Sequence, residues 1–206
     1  MLKKARIAVL VSGGGTNLQA LLDSQSRGEL SHGEICLVVS SQHGAYALER
    51  AAKAGVDGRV VNRKEAGSQQ AFEDGISALL SEYRIDLIIL AGFMSILSES
   101  FTCRWPERII NVHPALIPAF AGKGFYGLKV HEAALERGVK ITGATVHFVN
   151  EIPDGGRIIF QKAVEVMEDD TPETLQRRVM EQAEWLLLPK AAELVSRSIV
   201  EERGLN

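Results

Sequence analysis

Cysteine is scarce. Only Cys36 and Cys103 occur in 206 residues, one inside an apolar run and the other near Trp105, with no second pair at metal-ligand spacing. Both read as reduced packing residues rather than a disulfide or a zinc site, and no metal is expected. An excess of one charge is also missing. With 23 Lys and Arg against 26 Asp and Glu the formal net charge is −3, which leaves none of the broad cationic surface that nucleic acid or an anionic membrane requires. Any anionic ligand must be met locally. No apolar run is long enough to span a membrane. The amino terminus passes from Leu2, Lys3 and Lys4 into an apolar strand of about five residues without a small-residue cleavage site, so a cytoplasmic location is expected. Repeats, linkers and low-complexity segments are absent as well.

What is there is the composition of an ordinary globular chain, 46% apolar and 24% charged, able to bury a core and expected to form one domain over residues 1–206. Short apolar runs alternate with amphipathic stretches: Ile7 to Val11, Leu18 to Leu22, Ile35 to Val39, Ala45 to Ala54, then runs at Val60, Leu87 to Leu90 and Ile109 to Val112. Between them Phe72, Ile76, Leu79 and Leu80 fall at helical spacing. This order predicts an α/β fold, an open, doubly wound and mostly parallel sheet of Rossmann-like type, with strands apolar on both faces. Pro114 to Gly127 has no sustained period and reads as a long functional loop. A helix is expected over Lys129 to Gly138, and strands over Ala144 to Val149 and Arg157 to Val166 as an antiparallel edge hairpin turning at Pro153, Asp154, Gly155 and Gly156. A last helix is expected to open at Thr171 and Pro172.

Ser12, Gly13, Gly14, Gly15, Thr16 and Asn17 separate the first strand from the first helix. Glycines there bring backbone N–H groups and a helix N-terminus up to a ligand, and the spacing is neither a dinucleotide fingerprint nor a P-loop, so a phosphomonoester is the ligand expected. The alternative is a tight turn in which Thr16 or Asn17 only caps the helix. Further on, Asn111 and His113 share one face at the carboxyl end of a buried strand, where α/β proteins bind ligands. A carboxamide beside an imidazole forms a donor pair toward an oxygen that gains charge as an acyl carbon is attacked, and Asp154 can hold such a histidine protonated. Taken singly, each has a bland reading: a local cap, a satisfied buried histidine, a turn aspartate.

Five segments together resemble the phosphoribosylglycinamide formyltransferase family over nearly the whole chain: Ser-Gly-Gly-Gly-Thr-Asn at 12–17, Leu-Ala-Gly-Phe-Met at 90–94, Asn-Val-His-Pro-Ala-Leu-Ile-Pro at 111–118, Gly-Ala-Thr-Val-His-Phe-Val at 143–149 and Pro-Asp-Gly-Gly at 153–156. The resemblance implies transfer of a formyl group from 10-formyltetrahydrofolate, a consumed co-substrate, to the amine of phosphoribosylglycinamide in purine biosynthesis. It implies that Gly15, Thr16 and Asn17 hold the substrate phosphate, that Asn111, His113 and Asp154 are catalytic, and that Glu184 meets the amine. Met94, Ser95, Ile96 and Leu97, with Asn111, are implied to line the folate site. Small molecules are the only partners implied, and nothing bears on oligomeric state. Hydrolysis of formyltetrahydrofolate and a non-catalytic module binding a phosphorylated metabolite are the competing readings.

The chain departs from the family where an arginine is common and Ser95 stands, and where another is common and Gln69 or Gln70 stands. Arg63 or Lys64 are the nearby cations. The stretch from Val179 to Pro189 is one residue longer than the family's usual spacing, and the loop from Pro118 to Leu128 is longer than in many relatives.

Overall fold

The computed structural model describes residues 3–204, so Leu2 in the predicted approach to the first strand lies outside the described residues. In chain order the elements are β1 (Ala5–Val11), α1 (Thr16–Ser26), β2 (Gly33–Ser40), α2 (Tyr46–Lys53), β3 (Asp57–Val60), the one-turn α3 (Arg63–Ala66), α4 (Gln69–Glu82), β4 (Leu87–Leu90), the one-turn α5 (Glu99–Thr102), β5 (Ile109–His113), α6 (Leu128–Arg137), β6 (Ile141–Phe148), β7 (Ile158–Glu165), α7 (Pro172–Val179), a π turn (Met180–Glu184) and α8 (Trp185–Gly204).

The strands form a single sheet in the order β3-β2-β1-β4-β5-β6-β7. The first five in that order run parallel, and β6 and β7 are antiparallel to their neighbours. The doubly wound sheet and its edge hairpin are therefore as expected, with β5–β6 a further antiparallel pair. Strand order reverses between β1 and β4, so the carboxyl ends of β1, β4 and β5 open onto one crevice, the place where open α/β sheets receive ligands.

Side-chain alternation explains why helices cover both faces. Along β1, Ile7, Val9 and Val11 pack with Leu18 and Leu21 of α1 and with Leu188 and Ala191 of α8. Ala8 and Leu10 point the other way, onto Phe72, Ile76 and Leu80 of α4 and Phe101 of α5. A strand sends successive residues to opposite faces, so a run such as Leu-Ile-Ile-Leu in β4, buried at every position, requires a layer on each side. Burying each of the larger apolar side chains stabilises the fold by about 1.5–3 kcal/mol.

The closing helix expected from Thr171 is broken into three pieces. Thr171 and Thr174 exchange side-chain and backbone hydrogen bonds that start α7. The five-residue π turn at Met180–Glu184 then precedes α8. A π turn accommodates one residue more than an α-helix would over the same rise and is often found at functional sites. It falls within the stretch from Val179 to Pro189, where the resemblance implies one residue more than the family spacing.

Candidate active site

Asn111 and His113 lie on the same face of β5. Across the β5–β6 ladder Asn111 is paired with His147 and His113 with Thr145, so four polar side chains stand at the carboxyl edge of β5. The His147 Nδ1–H donates to the Phe148 carbonyl oxygen at 2.8 Å. Its Nε2 lies 3.2 Å from the Asn111 amide nitrogen. Thr145 Oγ1 donates to the Ala115 carbonyl at 2.7 Å and accepts from the Ile117 N–H at 3.1 Å, pinning the chain just beyond His113.

Asp154 reaches the same place from the β6–β7 connection. One carboxylate oxygen lies 3.5 Å from His113 Nδ1 and the other 3.5 Å from His147 Nε2. Its backbone is left-handed, with φ 56°, a conformation that aspartate tolerates better than most residues. Gly156 makes the turn possible, since a Cβ there would sit 1.8 Å from the Phe148 carbonyl oxygen. The structure thus brings Asn111, His113 and Asp154 together and adds His147.

The long loop between β5 and α6 docks on this group at two points. The Phe120 carbonyl oxygen accepts from His113 Nε2 at 2.7 Å, and the Gly122 N–H donates to Asp154 Oδ2 at 2.8 Å. His113 is only 4% exposed. Burial lowers its pKa and prevails over the raising effects of Asp154 and the Phe120 carbonyl. Burial thus works against the protonated His113 that Asp154 is expected to favour. Burial also pushes Asp154 up, but the His147 contact, the Gly122 N–H and the neighbouring imidazoles outweigh it and leave its pKa below the usual carboxylate range.

The glycine turn has a division of labour. Gly15 takes φ 72°, and a Cβ on it would lie 2.7 Å from the Ala47 Cβ of α2, so packing alone demands glycine there. At Gly13 and Gly14 an added Cβ would meet nothing within 4 Å, so neither glycine is required by the protein's own packing. No side chain caps α1, whose N-cap is Gly15, which rules out Thr16 or Asn17 as a simple cap. The first N–H groups of a helix have no partner inside it and attract anions.

Thr16 and Asn17 instead reach the π turn. Thr16 Oγ1 contacts Met180 Sδ at 3.8 Å, and Asn17 Nδ2 donates to Glu184 Oε2 at 2.7 Å. Glu184 is 6% exposed. Burial drives its pKa up to about 7, with the Asn17 hydrogen bond acting the other way.

The segment after β4 forms the remaining wall. The Met94 N–H donates to Ser12 Oγ at 2.9 Å, and Ser12 in turn meets Ser41 Oγ at 2.7 Å. Met94 and Ile96 are exposed and Ser95 is half-buried, whereas the Leu97 side chain is buried in the core beside Phe72 and Phe101. Gln69 donates to the Ile96 carbonyl at 3.0 Å and to Glu73. Glu73, itself 1% exposed, also accepts from the N–H and hydroxyl of Ser98. Gln69 therefore braces this loop.

Sequence reasoning assigned no role to His147, Thr145 or Glu73. The first two stand two apart in the Gly-Ala-Thr-Val-His-Phe-Val segment, and that period-two spacing is the signal that they share a face.

A polar group set at the carboxyl edge of a doubly wound sheet, next to a glycine-rich helix start, defines an α/β protein with its ligand site at the switch of strand order. Residues 5–191 match the family described as formyl transferase. The chain is 46% identical over 198 residues to the trifunctional purine biosynthetic protein adenosine-3 of Gallus gallus, covering 96% of this chain and 19% of that protein, so it spans about a fifth of such relatives. It is 40% identical over 177 residues to phosphoribosylglycinamide formyltransferase of Haemophilus influenzae, covering 86% of this chain and 81% of the relative. Among solved structures, glycinamide ribonucleotide transformylase 1 from Symbiobacterium toebii superimposes with a TM-score of 0.88 at 42% identity, over 95% of this chain and 89% of that one. The chain belongs to the formyl transferase family, in its phosphoribosylglycinamide formyltransferase branch.

Proposed function

We propose that this chain transfers the formyl group of 10-formyltetrahydrofolate to the amine of phosphoribosylglycinamide, in purine biosynthesis and in the cytoplasm. The observation that carries the reading is the convergence of Asn111, His113 and Asp154 beside a glycine turn whose Gly13 and Gly14 have no packing duty. That turn, with the N–H groups at Gly15, Thr16 and Asn17, receives the phosphate. Glu184 lies beyond Asn17 and orients the amine. Asn111 and the exposed side chains of Met94 and Ile96, with Ser95, receive the folate, while the buried Leu97 side chain supports their loop.

Attack of the amine on the formyl carbon gives a tetrahedral intermediate with negative charge on oxygen. The Asn111 amide, oriented by His147, and His113 supply the hydrogen bonds to that oxygen. The His113–Asp154 separation of 3.5 Å exceeds a normal N–H···O hydrogen bond, which leaves His113 Nδ1 free to turn to an incoming oxygen. An oxyanion beside the ring then raises its pKa, and the proton lost by the attacking nitrogen rests on His113 Nδ1 while the intermediate lasts. Asp154 passes the proton lost by the attacking nitrogen toward the folate nitrogen that leaves.

The test is to mix the protein with 10-formyltetrahydrofolate, with and without phosphoribosylglycinamide, and follow the deformylated folate by absorbance. Release that requires the glycinamide and is lost in His113→Ala is the expected result. Release with water alone would make the chain a hydrolase, and silence in both mixtures from a folded protein would leave a binding module.

A further inference from the structure

Three consecutive glycines give the turn before α1 no conformation of its own, because glycine takes positive and negative φ with similar ease. Its shape is imposed from α2. The Ala47 N–H donates to the Gly13 carbonyl oxygen at 3.1 Å, so the turn caps a helix that has no side-chain cap. Arg50 Nε, nearly one turn further along α2, donates to the Gly14 carbonyl oxygen at 2.8 Å. Both peptides are trans, and a trans peptide sets its C=O and N–H in opposite directions. Tying the Gly13 and Gly14 carbonyls back to α2 therefore turns the N–H groups of Gly14 and Gly15 away from it. Neither N–H has an acceptor among the described residues. The Gly15 carbonyl accepts from the Gln19 N–H and so enters the α1 ladder, which leaves the Thr16 N–H free at the helix start beside them.

Arg50 is itself held in place. Its Nη1 donates to Gln19 Oε1 of α1 at 2.9 Å, and its guanidinium lies 4.9 Å from the centre of the Tyr46 ring. It forms no ion pair with a carboxylate among the described residues. With Thr16 and Trp185 it lines a cavity of about 290 Å³ along α1. We propose that Arg50 is a positioning residue for the substrate phosphate, acting through the Gly14 carbonyl. It locks the Gly14–Gly15 peptide with its N–H toward the anion, and it places an unpaired positive charge behind that peptide. The proposal rests on the formyl-transfer reading for the identity of the phosphate and adds the device that shapes its receptor. A charged donor binds a carbonyl more strongly than a neutral one does, and the bond polarises the peptide, so the Gly15 N–H becomes a better donor. Lysine would supply the charge without the fork that reaches Gly14 and Gln19 together.

Kinetics of Arg50→Met and Arg50→Lys on the full chain test this. In Arg50→Met the KM for phosphoribosylglycinamide should rise roughly ten-fold or more, while kcat and the KM for the folate stay within about two-fold of wild type. Arg50→Lys should show most of the same rise; a wild-type KM in that variant would mean that charge alone matters and would overturn the positioning role. The same substrate without its phosphate supplies the control. Its kcat/KM should be equal in wild type and Arg50→Met, and an equal loss with both substrates would reduce Arg50 to a structural residue. A second measurement needs no variant. Inorganic phosphate titrated into the wild type should shift the amide resonances of Gly14 and Gly15 and the Arg50 Nε–H resonance together, with one Kd. Movement of the amides with a stationary Arg50 Nε–H, or no movement at all, would overturn the proposal even if the variants fail to fold. Absence of formyl transfer by the wild type would instead strike the underlying reading, and the phosphate titration would still decide the role of Arg50.

Discussion

Asn111 and His147 face each other across the β5–β6 ladder, with the amide nitrogen 3.2 Å from the imidazole Nε2. The other imidazole nitrogen is committed to the Phe148 carbonyl, so His147 decides which end of the Asn111 carboxamide points back into the protein. A misplacement of about 1 Å at a reacting centre can cost 10²-fold in rate. His147→Leu should therefore lower kcat by about 10- to 100-fold with little change in KM for phosphoribosylglycinamide. Steady-state kinetics decide the matter, and a kcat within two-fold of wild type would remove His147 from the site.

Gly13 and Gly15 should separate ligand binding from folding. Gly15→Ala forces alanine to φ 72° and a methyl group to within 2.7 Å of Ala47. Left-handed strain and overpacking together cost about 2–3 kcal/mol, which lowers the Tm of a protein of this size by roughly 5–10 °C. Gly13→Ala meets no atom within 4 Å and should leave Tm nearly unchanged while raising KM for the phosphorylated substrate. Thermal melts and kinetics on the two variants measure both effects, and equal losses of stability would show that the whole turn is structural.

Much of this arrangement was readable from residue order. The Leu-Ile-Ile-Leu run gave β4 with its boundaries because a strand buried on both faces has no polar position to blur its ends. Alternation likewise put Asn111 and His113 on one face. The His147 contact was hidden because it depends on the β5–β6 register, which pairs residues 36 apart. β6 begins at Ile141, earlier than the apolar run suggests, since Ile141, Thr142 and Gly143 pair with β7 through backbone groups that carry no side-chain signature. Nothing in the residue order signalled that a π turn interrupts the last helix and aims Glu184 at Asn17. The lowered pKa of His113 was hidden for a similar reason, because burial is a property of the packed molecule and there it outweighs Asp154.

Glu184 should leave a signature in stability. Its carboxyl titrates near 4.5 when unfolded and near 7 when folded, so the folded state binds the proton more tightly. Ionisation therefore penalises folding progressively as pH rises from about 4.5 to about 7, and the penalty is constant above that range. The full linkage is about 3 kcal/mol as an upper figure. Glu184→Gln has no such penalty. Its Tm relative to wild type should rise between pH 5 and pH 8, by several degrees, and a difference that does not change with pH would mean that Glu184 stays solvated.

Asp154→Asn should act on His113 through charge. Burial already lowers the His113 pKa, and Asp154 is the first influence raising it. Replacing the carboxylate by a neutral amide of nearly the same shape removes that influence and should move the His113 pKa further down. The imidazolium then forms only at lower pH, while the 3.5 Å neighbour of His147 is discharged at the same time. An NMR titration of the His113 ring protons in wild type and variant reads the shift directly. Transfer should fall by at least 10²-fold across neutral pH, since both the donor that charges as the oxyanion forms and the proton relay are weakened. A His113 pKa that stayed in place or rose in Asp154→Asn would show that Asp154 acts on this ring through position rather than charge.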